Sequence, residues 1–600
     1  MLPSEPQAPA PGTRPSDSNV LSRLERLPRR VGAVLLVVAG LVIFGPALWT
    51  ELSLDDHIHT AMLRGAYPAE RAPWDLYNLV DDESRPQLQA RGILPWWTHP
   101  SMKVHFFRPL ASLLRALDYA LFGTTPFPPH LHSFLWWLWA AFAARALFHR
   151  LLPSRAAGLA TWIFALAPCH AIPLGWLANR EVLVSLALGI TGLLAYLRWR
   201  ESRSLVHAAL STVLFAGAVA AGEYGVAFAG YIGAVEVFRH GDRLWERATG
   251  LLPALLPFAV YFVVRAQLGC GAVGSGTYAD PVRNPESFLW LAPPRFISLV
   301  LDAWLGIDRR PFFAHYWPWL LLATGVLVVA IVAAALRPAL ADLPRPHRAT
   351  IGWLLLGSLL SLVPMLAAAP ATRLLGVAVL GIAGVVGTAL SHAWFETPAS
   401  TAPTWAQRLA SLSAVILGMV HLLQGPIVAW EVARGNAAVT KLATDSVADL
   451  NLRLGDVATN DLVLVRGGGS ASGHLPFAID PEGAVTPRRY NLLSQTGHVL
   501  VRRTSRRRLE LTAARNGALI PLGEANVWTD ATRRFEVGDV YRLPNARVTV
   551  KALNFGVPRS VTVDFDHDLD VGSLRWFTER SGTFVESPPP RVGMGLPHGS

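Results

Sequence analysis

The chain has 600 residues, of which 52% are hydrophobic and only 16% charged, and its mean hydropathy is +0.34. This balance excludes an ordinary soluble globule and indicates a polytopic membrane protein. The net charge of +11 does not make nucleic acid an expected partner, because the arginines fall mostly between apolar runs, where they set topology.

Residues 1–30 open with a Pro-, Ala- and Ser-rich stretch and are expected to be a disordered cytoplasmic N-terminus. Arg23, Arg26, Arg29 and Arg30 precede the first apolar run, and a basic flank there keeps the N-terminus inside. The run ends in Phe44-Gly45-Pro46-Ala47, with no small-x-small cleavage site, so it reads as an uncleaved helix. It is followed at once by Leu54-Asp55-Asp56-His57-Ile58-His59. Two carboxylates and two imidazoles at a bilayer mouth are costly unless solvated, paired or used. Asp55 is also placed to cap a helix over 56–64 that Gly65 would stop.

A span needs about 20 apolar residues, and about eleven stretches qualify: 31–50, 131–150, 156–174, 182–198, 205–222, 224–238, 249–266, 317–336, 350–367, 372–392 and 409–431. Arg150, Arg198, Arg200, Arg203, Arg239, Arg243, Arg247, Arg337, Arg345 and Arg348 all fall in loops that this order places in the cytoplasm, as the positive-inside rule requires. The same order leaves everything after 431 outside.

The first outer loop, 51–130, is far longer than a connection needs, which marks it as functional or ordered on a surface. Within it, 106–123 carries apolar residues at helical spacing but also Arg108, Arg115 and Asp118, the pattern of a helix lying along the interface. The second outer loop, 266–317, holds Gly269, Gly271, Gly274 and Gly276 and a short helix near 296–305. Its glycines match no phosphate-binding fingerprint and are expected to form flexible loop. Cys169 and Cys270 both lie near the outer face; a bridge is open to them, with two free thiols the favoured state.

From about 439 to 600 the composition changes to short alternating stretches at 461–465, 499–503, 540–543, 547–550 and 561–565. They predict a small β-rich extracytoplasmic domain, a sandwich or barrel. Arg502, Arg503, Arg506, Arg507 and Arg508 form a basic cluster there, either a charged strand edge or a contact for anionic headgroups.

The order of these features resembles the GT-C superfamily of membrane glycosyltransferases, and within it the protein O-mannosyltransferase and tetratricopeptide-containing transmembrane mannosyltransferase type. The likeness rests on the acidic pair Asp55-Asp56 after the first helix, on Arg108-Pro109-Leu110, Asp118-Tyr119 and Phe122-Gly123, on His130 and His132 at the next span, and on Trp176-Leu177-Ala178-Asn179-Arg180-Glu181. It covers 31–430, and no tetratricopeptide-length repeat follows. It implies an α-helical GT-C-like transmembrane domain and transfer of a sugar from a polyprenyl-phosphate donor to an acceptor hydroxyl, in a protein, lipid or glycan, on the outer face of a bacterial cytoplasmic membrane. One or both of Asp55 and Asp56 would be the base, with no cofactor.

Such a transfer needs a base, cations for the departing phosphate and a site closed to water. His99, Lys103, His105, Arg108, Arg180, Arg265 and Arg373, at expected outer ends, are the phosphate candidates, and Glu223 the candidate for donor or acceptor contact. Arg180 and Arg373 stand out because short loops offer little other reason for charge. Trp74, Trp96 and Trp97 are the candidate glycan contacts. Asp55 and His59, four apart on one helical face, have the spacing for a divalent metal, but an ion pair accounts for them equally, and no metal site is assigned. A transporter or flippase of a lipid-linked glycan would instead place charges at the midplane within repeated halves, and a non-catalytic scaffold would dispense with the acidic pair.

Overall fold

In the computed structural model the described residues are 29–239, 241–307, 318–396, 404–454, 459–467, 471–479, 487–496, 498–514, 517–580 and 582–598. The chain is an α-helical bundle with a β-rich C-terminal region. Among the described residues nine helices are long and apolar enough to cross a membrane, and each of the eleven expected spans falls on a helical stretch. The N-terminal stretch before residue 29 lies outside the described residues.

The bundle closes around helix Gly376–Ser391, every residue of which is buried. Its sequence explains this: a side chain at Gly381 would meet the Leu354 carbonyl, one at Gly384 the Leu354 side chain, and one at Gly387 the Ala156 carbonyl, all within 3.0 Å. Small residues thus admit neighbouring backbones where lipid supplies no hydrophobic drive to association.

Helix Pro109–Phe122 forms where the pattern predicts it and packs against helix Leu205–Ala221. Leu113, Leu117 and Leu121 form an exposed stripe, while Arg115 and Asp118 turn inward and are buried. The second outer loop departs from expectation twice. Its helix is longer, Pro285–Leu305, opened by Asn284, whose side chain accepts the Ser287 N–H. Although apolar enough to span, it carries Arg295 at its centre, which donates to the Leu366 carbonyl (2.7 Å) and to Glu524 of the C-terminal region (2.8 Å). These two bonds tie the helix to the end of the helical stretch Arg345–Ala367 and to the C-terminal region, while its last residues pack into the bundle core. The glycine stretch read as flexible contains a strand instead: Gly271–Val273 pairs with Lys103–His105, which pairs with Asn78–Val80, and this antiparallel sheet joins the two outer loops.

The final helix pair is one 46-residue stretch, Trp405–Leu450, and its second helix runs to Leu454. The tail's first strand accordingly begins at Asp461. All five expected strands are present. One sheet is six-stranded and antiparallel, in the order Gly595–His598, Val499–Ser505, Arg508–Ala513, Val557–Phe565, Ala546–Asn554, Val540–Leu543. The other is mixed: Asp461–Arg466 runs parallel to both Arg489–Leu492 and Leu574–Arg580, with helix Ala471–Ala478 in the first crossover. This parallel layer was not expected from a sandwich or barrel; a crossover between parallel strands needs the helix that the alternation pattern misses.

The tail is joined to the outer loops through their cores and backbones. Trp97 is fully buried in the tail's core, beside Trp96, whose indole N–H donates to the Leu493 carbonyl (3.0 Å). The Tyr490 and Gly276 N–H groups donate to the Arg91 and Asn526 carbonyls. Trp96 and Trp97 are therefore docking residues and not glycan contacts; Trp74 remains exposed. The tail's basic cluster is also partly spent internally, Arg503 being buried against Asp568 and Asp570, and Arg508 paired with Asp564. Cys169 and Cys270 are both buried and free.

Candidate active site

The acidic pair sits on helix Asp55–Leu63, one short helix after the first span. Carboxylates in its first turn complement the helix dipole, and Gly65 follows the C-cap at φ +73°, as expected. The expected cap is not: the N-cap is Leu54, without a side-chain bond, at φ 51° and ψ −122°. A branched residue held there is strained by about 1–3 kcal/mol, a burden found mainly where structure around it fixes a functional group.

Adjacent positions on the helix send the two carboxylates in different directions. Asp56 is fully buried; its Oδ1 accepts the Ala178 N–H (2.7 Å) and its Oδ2 the Ser53 N–H (3.1 Å). Tyr77 donates its hydroxyl to the Ala178 carbonyl (2.8 Å), so both backbone polar groups of Ala178, in the 176–181 loop, are held. Burial pushes the Asp56 carboxyl up to about 6, against the lowering by Arg115 and those two N–H groups. Asp55 is more open, with 28% of its side chain exposed. Its Oδ1 accepts from His474 Nε2 of helix Ala471–Ala478 (3.0 Å), and Oδ2 has no partner among the described residues. Burial raises the Asp55 carboxyl, but the hydrogen bond and charge of His474, then His59 and Arg373, together bring it below the ordinary value.

The candidate cations divide sharply. Arg180 is buried, its guanidinium spent on Asp118, the Ser133 hydroxyl (2.8 Å) and the Pro129 carbonyl (2.7 Å). Arg108 bridges Glu223 (2.7 Å) and Glu181 (3.0 Å) and lies over the Tyr77 and Phe106 rings, so Glu223 shares this one cation with Glu181. His105 meets Asp75 (3.1 Å) and the Cys270 sulfur (3.5 Å). Lys103 faces Asp82 at 3.7 Å, and His99 faces the Thr532 hydroxyl at 3.3 Å, while Arg265 pairs with Asp280 (2.9 Å). Of the lysine and arginines in this set, Arg373 alone makes no ion pair among the described residues; it rests over the Trp176 ring, 5.5 Å from its centre, and is near enough to Asp55 to lower its pKa.

Arg373 also lines a cavity of about 360 Å³ that runs from Ser53 and Leu54 into the bundle. Its deeper wall is apolar, with Ile163, Ile172, Val379 and Val428; Trp176, Asp302 and Thr372 stand with Arg373 among its polar groups. Thr372 donates to Asp302 (2.8 Å). His59, fully buried with both ring nitrogens unpartnered, stands edge-on to Tyr77, and burial holds its imidazole far below the usual range, to about 3. No group of three or more metal-capable side chains occurs among the described residues.

The structure thus places Arg373 in the cavity wall with Asp55 next to the lining residues Ser53 and Leu54, and leaves Arg180, His99, Lys103, His105 and Arg265 engaged elsewhere. Sequence reasoning missed His474, which is 419 positions from Asp55 and carries no local signature, and Trp176, which was visible only as part of a motif.

No family model matches the chain, and no curated protein matches it. Among solved structures, ArnT from Cupriavidus metallidurans bound to undecaprenyl phosphate is 17% identical, with a TM-score of 0.38 over 75% of this chain and 85% of that one. The archaeal oligosaccharyltransferase AglB from Archaeoglobus fulgidus, in complex with an inhibitory peptide and a dolichol-phosphate, is 12% identical, with a TM-score of 0.43 over 78% and 65%. The mycobacterial arabinofuranosyltransferase AftD is 18% identical, with a TM-score of 0.40 over 78% of this chain and 33% of that one.

Proposed function

We propose that the chain is a membrane glycosyltransferase that moves a sugar from a polyprenyl-phosphate donor to an acceptor hydroxyl, with Asp55 as general base and Arg373 as phosphate ligand. The observation that carries the reading is one juxtaposition: Arg373, a cation without an ion pair among the described residues, lines an apolar cavity whose wall also includes Ser53 and Leu54, and the next residue, Asp55, has a free carboxylate oxygen and is near enough to feel the Arg373 charge. An isoprenoid chain suits the apolar wall, its phosphate suits the planar fork of Arg373, and the sugar then lies toward Asp55.

In the reaction the acceptor hydroxyl gives its proton to Asp55 Oδ2 as its oxygen bonds the anomeric carbon. The bond from that carbon to the phosphate oxygen breaks, and the electron pair leaves with the phosphate, whose charge Arg373 balances. The tail and outer loops cover this mouth and limit competition from water. Asp56, closed by two N–H donors, holds the 176–181 loop and takes no proton from the acceptor. The mannosyltransferase resemblance makes a hexose the first donor to try, on the extracytoplasmic side of a bacterial inner membrane.

The test is release of sugar by the purified full chain from a panel of undecaprenyl-monophosphate hexoses and pentoses. Turnover by wild type and its loss in Asp55→Asn, with folding intact, supports the reading; a wild type inert toward the whole panel refutes it.

A further inference from the structure

The C-terminal region is more than a cover, because it reaches the acidic pair with a side chain of its own. Helix Ala471–Ala478 lies between two parallel strands of the tail and packs on helix Asp55–Leu63. Its position is fixed from both sides. On the tail side, Tyr490 donates its hydroxyl to the Ser472 carbonyl (2.6 Å), and Gly473 lets the Trp528 ring approach so closely that a side chain there would meet it at 3.0 Å. On the loop side, the buried Phe477 ring packs on Tyr67 with centres 5.5 Å apart. Between these anchors His474, with 17% of its side chain exposed, places Nε2 3.0 Å from Asp55 Oδ1.

We propose that His474 is a positioning residue for Asp55, so that the active site is completed only when the C-terminal region is docked. This rests on the reading of Asp55 as the base. By occupying Oδ1, the imidazole fixes the carboxylate plane and leaves Oδ2 for the acceptor proton; by its charge, it keeps a largely buried carboxylate ionised. The other groups facing the pair are His57 and His59 on the helix of Asp55, the neighbouring Asp56, Arg115 from helix Pro109–Phe122, Arg373, and Tyr278 from the second outer loop. Of these, Arg373 remains to support the ionised carboxylate when His474 is removed, but makes no hydrogen bond to it.

The role predicts a signature that a simple domain tether does not give. In His474→Ala, kcat for an undecaprenyl-monophosphate sugar falls about 10- to 100-fold with donor KM unchanged. The acid limb of its pH–rate profile moves up, because desolvation then raises Asp55 against fewer opposing charges, Arg373 still among them. His474→Gln, which donates a hydrogen bond but carries no charge, recovers much of kcat while its acid limb stays displaced.

The experiment combines these profiles, in the full chain in lipid nanodiscs, with nitrogen NMR of ring-labelled histidine, the His474 signal being assigned by its absence from His474→Gln. The expected result is a His474 imidazolium that persists to higher pH in wild type than in Asp55→Asn. An Asp55→Asn variant that leaves the His474 titration unmoved overturns the proposal, as does a His474→Ala variant with wild-type kcat and acid limb while Asp55→Asn is inactive; in both cases Asp55 can still be the base. A wild type inert toward every donor overturns the transferase reading and the catalytic role together, and the NMR then shows whether the pair survives as a contact between two parts of the chain.

Discussion

Two sides of one buried polar belt differ in how completely their charges are spent. On one side Arg180, Asp118, Ser133 and Asp56 are closed: Asp118 is shared between Arg180 and His132, Arg180 also takes the Pro129 carbonyl, and Asp56 accepts two backbone N–H groups. On the other side, among the described residues, Asp55 keeps one oxygen without a partner, and Arg373, which lines a cavity, has a ring beneath it and no ion pair. The same residue types have opposite uses. A buried charge with a full partner set holds helices together and is costly to disturb, while a half-open one with a partner missing is available to a ligand.

The comparison fails first, and most visibly, if Asp55 can be replaced. Asp55→Asn should lower the transfer rate about 10²- to 10⁴-fold and leave thermal unfolding in detergent nearly unchanged, since its partly exposed pair with His474 contributes only about 0–1 kcal/mol. The closed side predicts the reverse: Asp118→Asn or Arg180→Ala, each leaving a buried charge uncompensated, should cost about 3–5 kcal/mol of stability, read as a lower unfolding midpoint and poor yield. Arg373→Gln should weaken donor binding about 10- to 100-fold, the range of a charge-assisted hydrogen bond, checked by titration with undecaprenyl phosphate.

Asp56→Asn should cost about 1–3 kcal/mol, because an amide has one carbonyl for two N–H donors, and should slow transfer only through loss of folded protein. It also carries a pH signature. Asp56 binds its proton more tightly in the folded chain, at about 6 against an ordinary 3.8, so its contribution to stability is present below 3.8 and is lost as pH rises through about 6. That slope should vanish in Asp56→Asn, as pH-dependent unfolding would show. The smallest effect is expected from Leu54→Gly, where relief at φ 51° is offset by a freer unfolded chain, leaving a net change under about 1 kcal/mol. Its transfer rate should nonetheless fall, as Asp55 loses its fixed entry.

Much of this architecture is legible in local pattern. Long apolar runs place each expected span on a helix, because a bilayer sets a minimum length for them, and the amphipathic pattern of Pro109–Phe122 gives a helix with Arg115 and Asp118 inward opposite a leucine stripe. Partner choice is not legible. Arg180 draws attention as a charge in a short loop, yet its use is decided by Asp118, 62 positions away. Arg295 looks like an apolar helix with one interruption until Glu524, 229 positions on, explains it. Strand Asp461–Arg466 reads as a strand, but its parallel partners depend on residues as distant as Leu574. Between Asp55 and Asp56 the sequence offers no choice; consecutive helix positions point about 100° apart, and only the packing shows one carboxylate at the 176–181 loop and the other at the tail.

The most direct measurement is the pair of activities of wild type and Asp55→Asn, in the same nanodiscs and with the same undecaprenyl-monophosphate sugar panel, alongside binding of undecaprenyl phosphate itself. The account predicts turnover of at least one donor by wild type and its loss in the variant, with carrier binding retained in both. Equal turnover by the two proteins, or a wild type that binds the carrier yet transfers no sugar from it, would contradict it.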